Sequence, residues 1–298
     1  MNHDPTGLIP RKIYDLPLPG GGVLRLGERT LVMGIVNVTP DSFADGGVHL
    51  DPAVAEAAAF EMEALGADLI DIGGESTRPG ADAVSADEEL ARILPVFRRL
   101  SGRVRVPLSV DTYKAVVAEA ALAAGASIVN DISGLGYDPA LGEVVARRGA
   151  ALVLMHTRGR SHEMYQEARY RSVTREVAGE LAARLDAAVA AGIPRDRLIL
   201  DPGLGFAKRA EHSYEALAGL SELAALDRPL LVGTSRKSFL SAASGELTPR
   251  ERDWATAAAV TAAVLLGTHI VRVHAVSEMT HVVRVADRIR AAIAAVRG

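Results

Sequence analysis

Eight short aliphatic runs in this chain each lead into residues able to do chemistry. LVMGIV opens onto Asn37, DLI onto Asp71 and Gly-Gly-Glu75, PLSV onto Asp111-Thr112, and SIV onto Asn130-Asp131. ALVLM leads to His156, LIL to Asp201-Pro-Gly, PLLVG to Ser235-Arg236-Lys237, and HIV to Arg272-Val-His274. A carboxylate at a strand end can accept paired N–H donors from a planar heterocycle. Cations and free backbone N–H groups bind anions.

The densest polar segment is Asn37-Val-Thr-Pro-Asp-Ser-Phe-Ala-Asp-Gly-Gly47, which packs Asp41, Ser42 and Asp45 into one loop. Turn formation alone explains Pro, Asp, Ser and Gly. An asparagine at a strand end can also give Mg²⁺ an oxygen while an anionic substrate neutralises the charge. Asp71-Ile-Gly-Gly-Glu-Ser-Thr-Arg-Pro-Gly80 allows close backbone approach to a ligand and offers donors at Thr77 and Arg78. In Asp201-Pro-Gly-Leu-Gly-Phe-Ala-Lys208 there is no Gly-Lys-Ser/Thr, so nucleotide triphosphate binding is unsupported. Asp201 either caps a turn or forks onto a heterocycle. Gly233-Thr-Ser-Arg-Lys-Ser238 is expected to begin the seventh helix, where free backbone N–H groups would bind an anion. The chain has four lysines, Lys12, Lys114, Lys208 and Lys237, and two of them fall in these last two motifs. Asp111-Thr112 and Asn130-Asp131 each resemble N-caps by type, but both pairs stand at the same structural level. Arg272 and His274 alternate on one strand and so face the same side. A lone histidine such as His156 is more often a hydrogen-bonded wall residue than a ligand, and the histidines are not spaced as a zinc site.

What must position these residues is legible in a repeated phrase: a helical stretch, glycine, two linking residues, then aliphatics. It recurs at Gly66-Ala-Asp-Leu-Ile, Gly125-Ala-Ser-Ile-Val, Gly149-Ala-Ala-Leu-Val and Gly267-Thr-His-Ile-Val. Glycine just past a helix takes the left-handed conformation without a Cβ penalty. Such short αβ links predict βαβ units and a parallel sheet. Asp51-Pro52 and Asp138-Pro139 read as helix starts, and Ser172 as the cap of a long helix stopped by Gly192. Strands are expected near 31–37, 68–72, 107–111, 127–131, 151–156, 198–201, 229–233 and 270–274. Their aliphatic character suits a sheet buried on both faces. Eight regular units favour a closed (β/α)8 TIM barrel over an open doubly wound sheet, with all eight strand ends around one mouth. Residues 1–29 stand outside the repeat. There LPLPGGGVLRLGE reads as a β-hairpin turning at Gly20-Gly21-Gly22 and closing the bottom of the barrel, which occupies 30–298 as one domain. The long connections Thr39–Leu50 and Gly74–Asp87 are candidate lids.

Composition narrows the class. With 49% hydrophobic and 23% charged residues the chain has the makings of a large core. A formal net charge of -4 gives no reason to expect nucleic acid or an anionic membrane as partner. There is no cysteine, which excludes disulfides and thiolate chemistry and fits a cytoplasmic location. The best membrane decoy, Ala255 to Val273, is interrupted by Thr256, Thr261, Gly267, Thr268, His269 and Arg272 and reads as a buried helix followed by a strand.

Taken together, GIVNVTPDSFADGG, DIGGESTRPGA, SVDT, VND, LMH, DPGLGFAK, GTSRKSFL and RVH resemble the dihydropteroate synthases, in the order seen in that family. They span residues 34 to 274. The resemblance implies a (β/α)8 barrel, usually a homodimer, that is a transferase of folate biosynthesis. It would condense 6-hydroxymethyl-7,8-dihydropterin diphosphate with p-aminobenzoate, releasing diphosphate, by an SN1-like route, and sulfonamides would compete with p-aminobenzoate. By motif, Asp111, Asn130, Met155, Asp201, Lys237 and Arg272 would hold the pterin. Asn37, Arg272 and His274 would grip the diphosphate, with Asn37 a ligand to Mg²⁺. Phe43, Thr77, Arg78, Pro79, Phe206 and Ser238 would form the p-aminobenzoate pocket. Asp111, Lys237, Arg272 and His274 would carry the catalysis.

The same cradle would serve a pterin-binding methyltransferase barrel, but that reaction gives no reason for the diphosphate set or the aryl pocket. One departure bears on a third reading, a pterin-binding paralogue with weakened catalysis. The family commonly has an aspartate after RVH, where this chain has Ala275. That aspartate could orient His274.

Overall fold

Strand and helix alternate through most of the chain, and at Gly66, Gly125, Gly149 and Gly267 a helix passes through the glycine into a strand that starts within a few residues. The computed structural model describes residues 11–39, 51–77 and 80–296. A hairpin of β1 (Tyr14–Pro17) and β2 (Val23–Leu26) comes first. Then follow β3 (Leu31–Asn37), α1 (Pro52–Ala64), β4 (Leu69–Gly73), α2 (Ala86–Leu100), β5 (Leu108–Asp111) and α3 (Ala115–Ala123). The middle of the chain gives β6 (Ile128–Asp131), α4 (Leu141–Arg148), β7 (Ala151–Met155), α5 (Val173–Ala190) and β8 (Leu198–Asp201). It closes with α6 (Ala210–Ala218), α7 (Leu220–Ala224), β9 (Leu231–Val232), α8 (Ser241–Ser244), α9 (Asp253–Leu265), β10 (Ile270–Val273) and α10 (Val276–Ala295). Among the described residues, no helix is long and apolar enough to cross a membrane.

Gly66, Gly125, Gly149 and Gly267 all take positive φ, so the repeated phrase does what its glycine implies. Helix starts follow their signals less uniformly. Asp51 caps α1, accepting from the Ala53 amide at 2.8 Å. Ser172 precedes α5 without capping it; Glu176 reaches back instead to the amides of Arg171 and Ser172. Asp138 accepts from Ala140 and also from Ala115 at the start of α3, while α4 begins two residues beyond Pro139.

Strands β3 to β10 form one parallel sheet in the order β8-β7-β6-β5-β4-β3-β10-β9. A bridge between Leu200 and Leu230 joins its two edges and closes the barrel. The seventh barrel strand is shorter than 229–233. Pro229 has no N–H to give the ladder, though its carbonyl accepts from Leu200 at 3.0 Å.

Alternation along the strands separates two apolar layers. Leu31, Met33, Leu69, Ile128, Val153, Ile199, Leu231 and Ile270 point into the barrel and pack together near its N-terminal end. The residues between them, such as Ile70, Ile72, Val110, Leu152 and Leu200, pack outward among Ile93, Phe97, Val117, Val145, Leu181 and other helix side chains. Because both faces are apolar here, the strands read as unbroken aliphatic runs. The hairpin turns at Gly20 and Gly21, both at positive φ, and Leu16, Leu18 and Leu26 join the inner layer as its floor.

Since Leu26 is fully buried in that floor, Leu26→Ala should cost about 2–5 kcal/mol of unfolding free energy in a denaturant titration. A loss below about 0.5 kcal/mol would mean that the hairpin is not part of the core.

Candidate active site

The inward side of the barrel changes character one step above the floor. Two residues past Leu69 stands Asp71; past Ile128, Asn130; past Ile199, Asp201; past Ile270, Arg272. The period of two keeps each of these on the inner face. Register sets Asp111 beside Asn130 and beside Gly73, and Met155 beside Asp201. Thus an apolar floor carries a polar layer at the C-terminal mouth.

Arg272 is the hub of that layer. Its Nε donates to Asp71 Oδ2 at 2.6 Å and its Nη2 to Asp111 Oδ2 at 2.7 Å. Asn130 donates to the same Asp71 oxygen at 2.9 Å. Burial works against the Arg272 charge, but Asp71 and Asp111 outweigh it and hold the guanidinium pKa above its ordinary value. Burial pushes the Asp111 carboxyl up to about 7, against the pull of Arg272 and with the repulsion of Asp71. Among the described residues, Asp111 Oδ1 and Asp71 Oδ1 are buried without a hydrogen-bond partner. A buried acceptor in that condition costs about 1–3 kcal/mol, which a ligand N–H would relieve.

On the other side of the mouth, Lys237 donates to the Leu204 carbonyl at 2.5 Å, and its ammonium lies 4.7 Å from the centre of the Phe206 ring. Burial lowers its pKa to about 8, with Asp201 opposing. The Asp201 carboxyl is raised by burial, while Lys237 and the Gly203 amide, which donates to Oδ1 at 2.7 Å, act against the rise. Gly203 itself has φ +65, and a Cβ there would meet the His156 carbonyl oxygen at 1.9 Å. Only glycine fits.

At the rim, Asn37 ends β3 beside Gly73. His274 follows β10, and its Nδ1 lies 2.9 Å from Ser235 Oγ, which also accepts the His274 amide at 3.1 Å. Ser235, from the loop after β9, therefore orients the imidazole without an acid at 275. Ala275 occupies the N-cap of α10 and makes no side-chain cap.

The structure brings Asp111, Asn130 and Arg272 together through Asp71, and Lys237 together with Phe206. Thr77 lies half-buried beyond β4, and Ser238 is exposed on a 3-10 turn, Ser238–Leu240. Phe43, Arg78 and Pro79 lie outside the described residues. Asp131 accepts from the amides of Ser133 and Leu135 and from the Ser133 hydroxyl, so it shapes a turn; Thr112 accepts from Lys114. Helical backbone begins only at the last residue of Gly233–Ser238, in the 3-10 turn Ser238–Leu240 that runs into α8. Arg236 sits at φ +59, bound to Asp253, and the long helix α9 starts only there. The four-residue α8 offers no helix N-terminus of the expected kind. Asp71 and Ser235 are the supports that motif reading left without a role. The available signal was Asp71 itself, a carboxylate inside an aliphatic strand, which is found there only when paired.

The chain matches the family model described as pterin binding enzyme over residues 33–274. It is 45% identical over 272 residues to a dihydropteroate synthase of Synechocystis, covering 91% of this chain and 94% of that protein. Dihydropteroate synthase of Xanthomonas albilineans, solved with 4-aminobenzoic acid, superposes with a TM-score of 0.85 at 42% identity, over 93% of this chain and 99% of that one. The enzyme of Burkholderia cenocepacia complexed with 7,8-dihydropteroate gives a TM-score of 0.83 at 40% identity, over 95% and 99%.

Removing the charge of Asp71 should leave Arg272 under-compensated: Asp71→Asn is expected to cost about 3 kcal/mol in urea unfolding. A loss below about 1 kcal/mol would count against the hub. Ala275→Asp should instead stabilise by about 1 kcal/mol through capping α10, read as a higher melting temperature. A lower one would show that the Ser235–His274 pair does not tolerate an acid there.

Proposed function

Because the chain belongs to the pterin-binding enzymes, and among them to the dihydropteroate synthases, we propose that it joins 6-hydroxymethyl-7,8-dihydropterin diphosphate to p-aminobenzoate, forming 7,8-dihydropteroate and diphosphate in folate biosynthesis. The observation that carries the reading is the mixed set of acceptors and donors around Arg272, with Asp111, Asn130 and Asp201 at the ends of separate strands and Lys237 on the loop after β9. A pterin edge alternates N–H donors with a carbonyl oxygen and a ring nitrogen. Asp201 takes the ring N–H and amino donors in a fork. Lys237 donates to the ring oxygen and nitrogen, and the unpartnered Asp111 Oδ1 is available to accept from the ligand. Met155 packs on the heterocycle and Arg272 lies along its face.

As the C–O bond breaks, its electron pair leaves on the diphosphate. His274 and Arg272 stabilise that growing charge, and their fixed positions mean that little reorganisation is needed. Asp111 stabilises the positive charge spread over the dihydropterin. The amine lone pair of p-aminobenzoate then forms the C–N bond, and its surplus proton passes to diphosphate or water. Thr77, Arg78, Pro79, Phe43, Phe206 and Ser238 receive the aryl amine, and exclusion of water protects the cation. An asparagine oxygen at the end of β3, with no group of three or more histidine or carboxylate side chains placed to hold a metal among the described residues, fits Mg²⁺. That ion takes one or two protein oxygens and draws the rest from phosphates and water. Asn37 would hold it, and when bound it offsets charge on the leaving diphosphate. The enzyme acts in the cytoplasm as a homodimer; exposed Trp254 on α9 and Val285 and Ile289 on α10 support association.

Purified protein with both substrates and Mg²⁺ should form dihydropteroate, and a folded protein without turnover would refute the proposal. The pH profile is a sharper check. Below about 7 Asp111 takes up a proton and no longer pairs with Arg272 as a carboxylate; above about 8 Lys237 loses its charge. Hence kcat/KM for the pterin diphosphate should describe a bell between these limbs. A flat profile from about pH 6 to about pH 9 would remove Asp111 and Lys237 from the binding step.

A further inference from the structure

Behind the pterin cradle lies a second group of charges that the reaction does not use. Lys208 is only 1% exposed. Its Nζ lies 2.8 Å from His156 Nδ1 and donates to the Phe206 carbonyl at 3.2 Å. His156 is buried too, and its Nε2 lies 3.0 Å from Glu180 Oε2 on α5. Arg158 donates to the other oxygen of Glu180 at 3.0 Å. The direction of these bonds follows from donor count. An ionised Glu180 only accepts, so the imidazole proton stands on Nε2, Nδ1 accepts, and Lys208 donates to both of its partners. Burial, helped by the Lys208 charge, brings the His156 pKa down to about 4 and keeps the ring neutral, as this arrangement requires.

The loop that this group supports is unusual. Between Asp201 and Lys208 the backbone is left-handed at Gly203, Gly205 and the non-glycine Ala207. Side chains hold it on several sides: Tyr170 donates to the Ala207 carbonyl at 2.9 Å, Ser213 accepts from the Gly205 amide at 3.1 Å, and Lys237 holds the Leu204 carbonyl. The His156 amide donates to the Asp201 carbonyl at 2.9 Å. So one end of the loop is fixed by the backbone of His156 and the other by its side chain through Lys208.

We infer that Glu180, His156 and Lys208 form a relay that positions the pterin cradle, with Lys208 anchoring the Phe206 carbonyl behind the Asp201 carboxylate. This rests on the pterin assignment above. If Lys208 served only to fill the core, a neutral side chain of similar length would do as well or better, since a buried charge is costly.

Lys208→Met tests the two alternatives. The relay predicts a KM for pterin diphosphate raised by about tenfold or more and a smaller rise in the KM for p-aminobenzoate through Phe206, in a protein that stays folded at the assay temperature. His156→Leu should behave alike, whereas His156→Asn, whose side-chain oxygen can accept where Nδ1 did, should retain most of the wild-type pterin KM. An unchanged pterin KM in Lys208→Met, or the two KM values rising by the same factor, would overturn the relay. The wild-type protein gives a readout independent of folding: its imidazole ¹⁵N spectrum should show His156 neutral and protonated on Nε2 at about pH 7, and an Nδ1–H form would equally overturn it. Absence of turnover in the wild-type protein would refute the enzymatic reading while leaving the spectrum to decide on the relay.

Discussion

A guanidinium enclosed by a barrel stays charged only if carboxylates share its enclosure, and Arg272 has two. Asp71 and Asp111 come from neighbouring strands, and Asn130, one strand further, shares the Asp71 oxygen. Desolvating three charges costs several kcal/mol each, and only direct hydrogen bonds at close range offset that. The arrangement adds little to stability relative to a greasy core of the same shape. What it does is fix the plane and position of a cation at the mouth before any ligand arrives. It also leaves Asp111 Oδ1 buried without a hydrogen-bond partner among the described residues.

The same strands do two jobs at successive heights. Lower inward positions are aliphatic and close on the hairpin, so the barrel has a solid floor. The next inward positions are ionic and rest on that floor. Supports then stand behind the polar layer: Ser235 behind His274, Lys208 and His156 behind Asp201 and Phe206. A binding site of this kind depends on a shell that locks its side chains as much as on the side chains themselves.

Much of the architecture was legible because it is local. A glycine followed by two linking residues and an aliphatic run reports a helix stop and a strand start, and both are decided within one turn of chain. Asn37, Asp111, Asn130, Asp201, Lys237, Arg272 and His274 were legible as mouth residues from their position at strand ends, and their proposed roles followed from motif order. Asp71 was not, since what gives it a role is a guanidinium 201 residues away in sequence. His156 was readable as a wall residue, but its partners Lys208 and Glu180 were not, for the same reason. The seventh unit misled for a different cause: Arg236 takes a left-handed backbone stabilised by Asp253, and no local propensity predicts that.

By itself, then, the amino-acid order determined the eightfold βα repeat, the parity of residues along each strand and the chemical types presented at the mouth, because hydrophobic period and helix stops act over a few residues. Tertiary structure alone decided who meets whom there. Closure through Leu200 and Leu230 and the register between strands bring Arg272 to Asp71 and Asp111, and Lys208 to His156. Charges buried in such company hold their positions and ionisation by mutual distance, a quantity that no single stretch of sequence contains.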